Sequence, residues 1–356
     1  MIEIEPRAGV SPRMRLLTPL LAALAALALA AVPLAFAGVP LIESYRQMFA
    51  GVFGSLFAFT EMLTRATPLI FTGLAAAIAF RAKLWNIGAE GQLYLGALAA
   101  VAVGTGAVSG PGWALTGLVL AAGALAGALG MLLPAALKTR FGADEVVTSL
   151  LLNFIILIFV QMMLEGPLKD PMGLGWPQSE PILDEATLPK LLERMRLHAG
   201  LLIALGAALA LHLVLARTTW GFRIRAVGEN ASAARHAGIS VNRTLIGVAL
   251  VSGALAGLAG VSEVAGLKGY LTADLSPGFG YAGIVVAMLA GLSPLGVVLA
   301  ALFVASVFVG ADSMSRAMGV SSFLADLVVA LSLISVLVGG FFTRYRLRWR
   351  ARRTRP

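Results

Sequence analysis

Two stretches hold most of the polar chemistry in a chain that is otherwise apolar. The first, Trp85 to Gln92 (W-N-I-G-A-E-G-Q), sets two amides, Asn86 and Gln92, around a carboxylate, Glu90, at the opening of a run with no other charge. A carboxylate beside lipid is costly unless it is solvated, paired or held at a helix N-terminus. The pattern predicts a helix capped by Asn86 with Glu90 in its first turn. A second use for the same atoms is contact with a passing solute. Farther along, Asn153 and Ser252 sit inside long apolar runs, where an amide or hydroxyl needs a partner. Asn86, Glu90, Gln92, Asn153 and Ser252 are therefore the residues expected along a polar path, with an interhelical hydrogen bond as the alternative for Asn153.

The second stretch is Arg217 to Arg243, R-T-T-W-G-F-R-I-R-A-V-G-E-N-A-S-A-A-R-H-A-G-I-S-V-N-R. Asn230 can cap a helix and Gly238 can end one, so Ala231–Ala237 reads as one or two helical turns. A short capped helix between apolar runs suits docking against a partner; a solvated connector is the alternative. Catalytic templates are missing. No G-x-x-x-x-G-K-[ST] is present to cradle a phosphate, so the chain is not expected to hydrolyse ATP and no catalytic residue is assigned. His198, His212 and His236 have no carboxylate or second histidine at ligand spacing, so neither a metal nor another cofactor is expected. Zero cysteines exclude disulfides and thiol chemistry.

The elements that must position these residues follow from composition. Of 356 residues, 59% are hydrophobic and 13% charged, against about 25% charged in soluble domains, and the mean hydropathy is +0.89. Lipid is the solvent for most of this chain. Stretches free of Asp, Glu, Lys and Arg run over Leu16–Ile42, Ala66–Phe80, Gly91–Leu137, Val146–Leu164, Leu197–Ala216, Thr244–Ser262, Leu275–Ala311 and Leu327–Thr343. Breaks at Ser109-Gly110-Pro111-Gly112 and Gly291-Leu292-Ser293-Pro294 divide the two longest, so about ten spans are expected in an all-α polytopic membrane protein. Arg13 and Arg15 before the first run also fit a cleaved leader, but its apolar part exceeds the usual ~7–15 residues, and an uncleaved span is expected. Ala66–Phe80, with Pro68 and Gly73, and the piece between Pro277-Gly278 and Gly291 are short, which points to broken helices and, with five spans per half, an inverted five-plus-five repeat, with tilted or kinked helices packed in the bundle as the alternative.

Lys and Arg fix the orientation. With the N-terminus inside, inner segments hold 19 and outer segments 8 of the 27 basic residues. Both termini are therefore expected in the cytoplasm. The net charge of +9 does not imply nucleic acid, because seven arginines crowd the last thirteen residues, 344–356, directly after a span, where a basic tail meets anionic lipid headgroups.

At the two polar stretches the chain resembles permease subunits of bacterial ATP-binding-cassette importers, in the group serving branched-chain amino acids, simple sugars and nucleosides. The resemblance runs from Thr64 to Gly340. Its most specific part is Thr67 to Gln92, ending in W-N-I-G-A-E-G-Q; next comes Gly221 to Ile239, similar to the loop that contacts the ATPase. Ala233-Ala234-x-x-x-Gly238 is similar to the E-A-A-x-x-x-G coupling motif, with Ser232 in the place of its glutamate. That departure removes any glutamate-mediated contact and leaves the docking helix, whose small residues let an ATPase groove approach the backbone.

The resemblance implies one permease domain over residues 1–343, with a cytoplasmic coupling loop at 217–243, external loops that include 43–65 and 165–196, and a basic cytoplasmic tail at 344–356. It assigns ATPase coupling to Gly221, Arg225, Gly228, Asn230, Ala233, Ala234 and Gly238. Implied partners are a cytoplasmic ABC ATPase, a second permease chain, identical or not, and an extracytoplasmic solute-binding protein, in a bacterial cytoplasmic membrane. N-I-G-A-E-G-Q favours nucleosides as solute, then simple sugars, then branched-chain amino acids. An ion-coupled secondary transporter predicts ionisable residues in mid-span, and the chain has almost none. A lipid-modifying membrane enzyme predicts an interfacial cluster of acids, histidines or nucleophiles that the sequence does not contain.

Overall fold

The computed structural model describes residues 2–6, 24–25, 27–106, 108 and 110–349. In chain order the elements are β1 (Ile2–Pro6), α1 (Leu27–Phe36), α2 (Leu41–Phe53), α3 (Leu56–Arg81), α4 (Ala89–Gly104), α5 (Gly112–Phe141), α6 (Glu145–Glu165), α7 (Gly200–Arg217), α8 (Thr219–Glu229), α9 (Ala231–His236), α10 (Val241–Val261), α11 (Phe279–Leu289), α12 (Pro294–Met318), α13 (Ser322–Arg344) and β2 (Tyr345–Trp349). Among the described residues, seven helices are long and apolar enough to cross a membrane, and α1, α4 and α11 are shorter apolar helices, an arrangement compatible with the expected ten.

Helix ends follow local chemistry. Asp144 caps α6 by accepting from the amides of Val146 (2.8 Å) and Val147 (3.3 Å), and Gly142, at φ +71°, closes α5 just before it. One expectation needs correcting: Ala66–Phe80 is neither short nor broken. It is the C-terminal part of the 26-residue α3, with Pro68 in its interior. Glu61 and Arg65 do not end the helix, because both find partners elsewhere in the fold: Arg196, in the connection before α7, reaches Glu61 at 3.5 Å and Arg65 lies over the Phe279 ring at 5.6 Å. The segment 43–65, expected as an outer loop, is accordingly helical in α2 and the start of α3.

Two compact units divide the chain. In the unit of Met1–Ala58 and Ser306–Pro356, α2 packs on α12 so closely that a Cβ on Gly310 would stand 3.0 Å from the Met48 carbonyl oxygen. Here β1 and β2 pair antiparallel, Ile2 opposite Trp349 and Pro6 opposite Tyr345, so both ends of the described chain lie on one side. The expected tail thus begins as a strand over Tyr345–Trp349, and 350–356 fall outside the described residues.

In the unit Phe59–Ala305, α4, α5 and α10 form the core. Lipid gives helices little hydrophobic reason to associate, so close backbone packing of small residues must hold them. Gly123 and Gly127 of α5 face Gly253 and Gly257 of α10, and a Cβ on Gly127 would stand 2.7 Å from the Gly257 Cα. The long connection between α6 and α7 is tied to the segment that follows α10: Leu188 N–H donates to Ala265 O (2.7 Å) and Ser179 N–H to Leu271 O (2.9 Å).

Candidate functional site

After Arg81 the chain turns through Lys83 (φ +53°) and runs without regular structure to Gly88, where α4 begins. This unwound run brings Asn86 against Ser252, which lies midway along α10. Asn86 Nδ2 donates to Ser252 Oγ (2.9 Å) and to Gln92 Oε1 (2.8 Å), and Gln92 Nε2 donates back to Asn86 Oδ1 (2.9 Å). Ser252 Oγ in turn donates to Ala75 O of α3 (2.7 Å). From α6, Asn153 accepts the Gly91 amide (2.8 Å) and donates to Ile87 O (2.8 Å). All five residues expected along a polar path are thus in one neighbourhood, at 0–4% exposure. Their polar groups are spent on one another and on backbone. Irregular backbone at membrane depth is tolerated only where protein or a water-filled cavity satisfies it, and these side chains satisfy it.

Asn86 does not cap α4, as its spacing suggested. Its Oδ1 takes the amide of Gly88 (2.9 Å), the residue just before the helix, and none within its first turn. Glu90 does sit in the first turn, but its carboxylate serves a second helix as well. Gly280 N–H, at the start of α11, donates to Glu90 Oε2 at 2.6 Å, while Ser276 Oγ beside it accepts the Gly278 (3.2 Å) and Phe279 (2.9 Å) amides. The N-termini of α4 and α11 therefore converge on one anionic group, which both positive dipole ends favour. Tyr94 OH ties down the run before α11, donating to Ala273 O (2.8 Å) and accepting Ser276 N–H (3.2 Å). A cavity of about 270 Å³ opens beside it, bordered by Leu157, Gln161 and Ala273.

In 217–243 the expected short helix is α9, capped by Asn230 Oδ1 accepting Ala233 N–H (3.0 Å) and closed by Gly238 at φ +79°. Ala233 and Ser232 are exposed, but Ala234 is 4% exposed. Its methyl therefore seats the helix on its own protein and is not offered to a partner. Arg225 Nη1 donates to Leu215 O, bracing α8 on α7. Gly221 and Gly228 are buried where backbones touch: a Cβ on Gly228 would overlap the Arg81 carbonyl, 3.0 Å from its carbon. The Arg81 side chain donates from Nη2 to Leu292 O (3.1 Å), just past the end of α11. Of the coupling residues expected from the sequence, Ala233 presents an open surface, Asn230 and Gly238 shape α9, and the other four hold the segment in place.

Several contributors were not anticipated. Glu145 pairs with Lys138 and accepts Trp85 N–H (3.2 Å), while Ser149 Oγ accepts Ile87 N–H (3.2 Å); both spend their bonds on the unwound run. Glu145 and Ser149 are four apart and Asn153 four further, one stripe of α6 and a signal the sequence did carry. In the loop before α7, His198 Nδ1 accepts Gly200 N–H (3.2 Å), and burial pushes its pKa down to about 4.

Residues 58–337 match the family described as branched-chain amino acid transport system / permease component. A glucose ABC transporter permease of Haloferax volcanii is 40% identical over 97% of this chain and 93% of its own. A guanosine ABC transporter permease of Bacillus subtilis is 37% identical over 90% of this chain and 92% of its own. A nucleoside ABC transporter permease of Lactococcus lactis is 31% identical over 85% of each.

Proposed function

The chain belongs to the branched-chain amino acid transport system permease family and is a multi-pass membrane protein, and from this premise we propose that it is the permease of an ATP-powered importer whose solute is a nucleoside. The observation that carries the solute is the pair of guanosine and nucleoside permeases, alike to this chain over 90% and 85% of its length. A binding protein delivers the nucleoside on the outer face; this chain and a second permease enclose the route; an ATPase on the cytoplasmic side closes on ATP and moves the 217–243 segment. The positive-inside bias supports that placement, with both termini in the cytoplasm. Asn86, Glu90, Gln92, Asn153 and Ser252 are the frame of the route: they keep an unwound segment and two short helices satisfied at membrane depth, and the solute passes beside them.

A sugar is the second reading, favoured by the 40% identity to a glucose permease. Reconstitution with the cognate ATPase, second permease and binding protein separates the two. ATP-dependent accumulation of labelled guanosine, competed by uridine or adenosine and not by excess glucose, is the expected result. Accumulation of glucose alone overturns the nucleoside assignment, and accumulation driven by an ion gradient without ATP overturns the ATPase coupling.

A further inference from the structure

Beside α9 lies a cavity of about 430 Å³, walled by Trp220 and Arg223 of α8, by Gly238 and Ser240 of the connection, and by Arg243 of α10. Its charge is one-sided. Neither arginine makes a salt bridge among the described residues. Over Arg217–Arg243 five arginines face a single acid, Glu229. Ser240, the residue before α10, makes no side-chain bond to that helix, so a 21-residue helix begins without a side-chain cap, its positive dipole end among the residues that wall the cavity. The indole of Trp220 lies against Gly247, 3.5 Å from a Cβ built there, which fixes one wall.

We propose that this cavity is the socket for an acidic side chain of the ATPase. The proposal rests on the ATPase-coupled reading above and deepens it, because it reverses the polarity of the docking contact. The position of the motif's glutamate holds Ser232, and α9 (A-S-A-A-R-H) contains no acid; the partner supplies the carboxylate, and Arg223 and Arg243 receive it. One feature favours a protein carboxylate over a lipid phosphate: the turn that follows α9, Ala237 to Ile239, forms part of the rim, beside a helix whose Ser232 and Ala233 are exposed and which the importer reading gives to the ATPase. Arginine's planar fork can hold that carboxylate by two parallel bonds.

The test measures binding of the cognate ATPase to the full-length permease in nanodiscs of neutral lipid, at low and high salt. Arg223→Glu and Arg243→Glu are expected to weaken binding tenfold or more, a loss of about 1.4 kcal/mol each, and Arg→Lys to weaken it less. Wild-type binding should fall with salt. Ser240→Asp puts a carboxylate into the socket while keeping both arginines, and should weaken binding likewise; it carries the test if the arginine variants do not fold. Wild-type affinity in Arg223→Glu, Arg243→Glu and Ser240→Asp overturns the socket. So does a loss that appears only in discs containing anionic lipid, which assigns the cavity to headgroups. No binding of any cognate ATPase by the wild-type chain overturns the importer reading itself, a distinguishable result.

Discussion

Glu90 is the residue at which a structural and a transport role part most clearly. Its carboxylate accepts the Gly280 amide at 2.6 Å and joins the first turns of α4 and α11. Replacing it by glutamine keeps one acceptor oxygen but turns an NH₂ group towards amides that are themselves donors. A charge-assisted bond contributes about 1.5–3 kcal/mol and a neutral one about 1, so Glu90→Gln should cost about 1–2 kcal/mol. Glu90→Leu leaves the Gly280 amide unpaired and removes the charge from both helix ends, which raises the cost to about 3 kcal/mol. Unfolding in nanodiscs should rank wild type above Gln above Leu. ATP-driven uptake should survive Glu90→Gln within about threefold, which corresponds to less than 1 kcal/mol. Loss of uptake in a Gln variant of wild-type stability would sink this reasoning, since the charge would then act on the solute or a proton; so would a Leu variant as stable as wild type.

Gly228→Ala drives a methyl into the Arg81 carbonyl, an overpacking of about 1–3 kcal/mol. ATP hydrolysis should lose its response to the solute-loaded binding protein while the chain still inserts, and normal coupling in this variant would contradict the contact. Gly257→Leu should separate α5 from α10, whose backbones meet at Gly127, and lower stability by at least ~3 kcal/mol; an unchanged unfolding midpoint would rule that packing out. His198 is 1% exposed and its pKa is pushed down from 6.5 to about 4, so the unfolded loop takes a proton that the folded one refuses. Stability is therefore full above pH 6.5 and falls as pH drops towards 4, by roughly 3 kcal/mol in total. Protection factors over residues 188–200, which divide out the intrinsic slowing of exchange at acid pH, should fall across that window in the wild type and stay level in His198→Phe; equal wild-type protection at pH 7 and pH 4.5 would refute it.

Much of this architecture is legible in the sequence because membrane spans are written in composition. The polar network was also visible, since Asn86, Asn153 and Ser252 are conspicuous in apolar surroundings. Their partners were not. Ala75 O, Ile87 O and the Gly91 amide are backbone groups, and only the tertiary fold decides which backbone is left unpaired. The length of α3 was hidden for a different reason: a charge reads as a boundary when its partner, such as Arg196 for Glu61, lies 135 residues away. Gly123/Gly127 and Gly253/Gly257 form two small-x-x-x-small pairs, a signal present in the letters whose meaning needs both helices side by side. For Ala234 the motif gave the helix but not its rotation, and a single position about its axis separates the inward Ala234 from the outward Ala233.

Arg81 has two grips. Its carbonyl is the surface on which Gly228 rests, and its guanidinium holds Leu292 beyond the far end of α11. An eleven-residue helix is about 16 Å of stiff rod, too short to bend and absorb a push. A stiff rod of that length joins the Arg81–Leu292 contact at one end to the amide that Glu90 holds at the other. The brevity of α11 makes it a connecting pin, with one end at the surface loop and the other at the centre of the bundle.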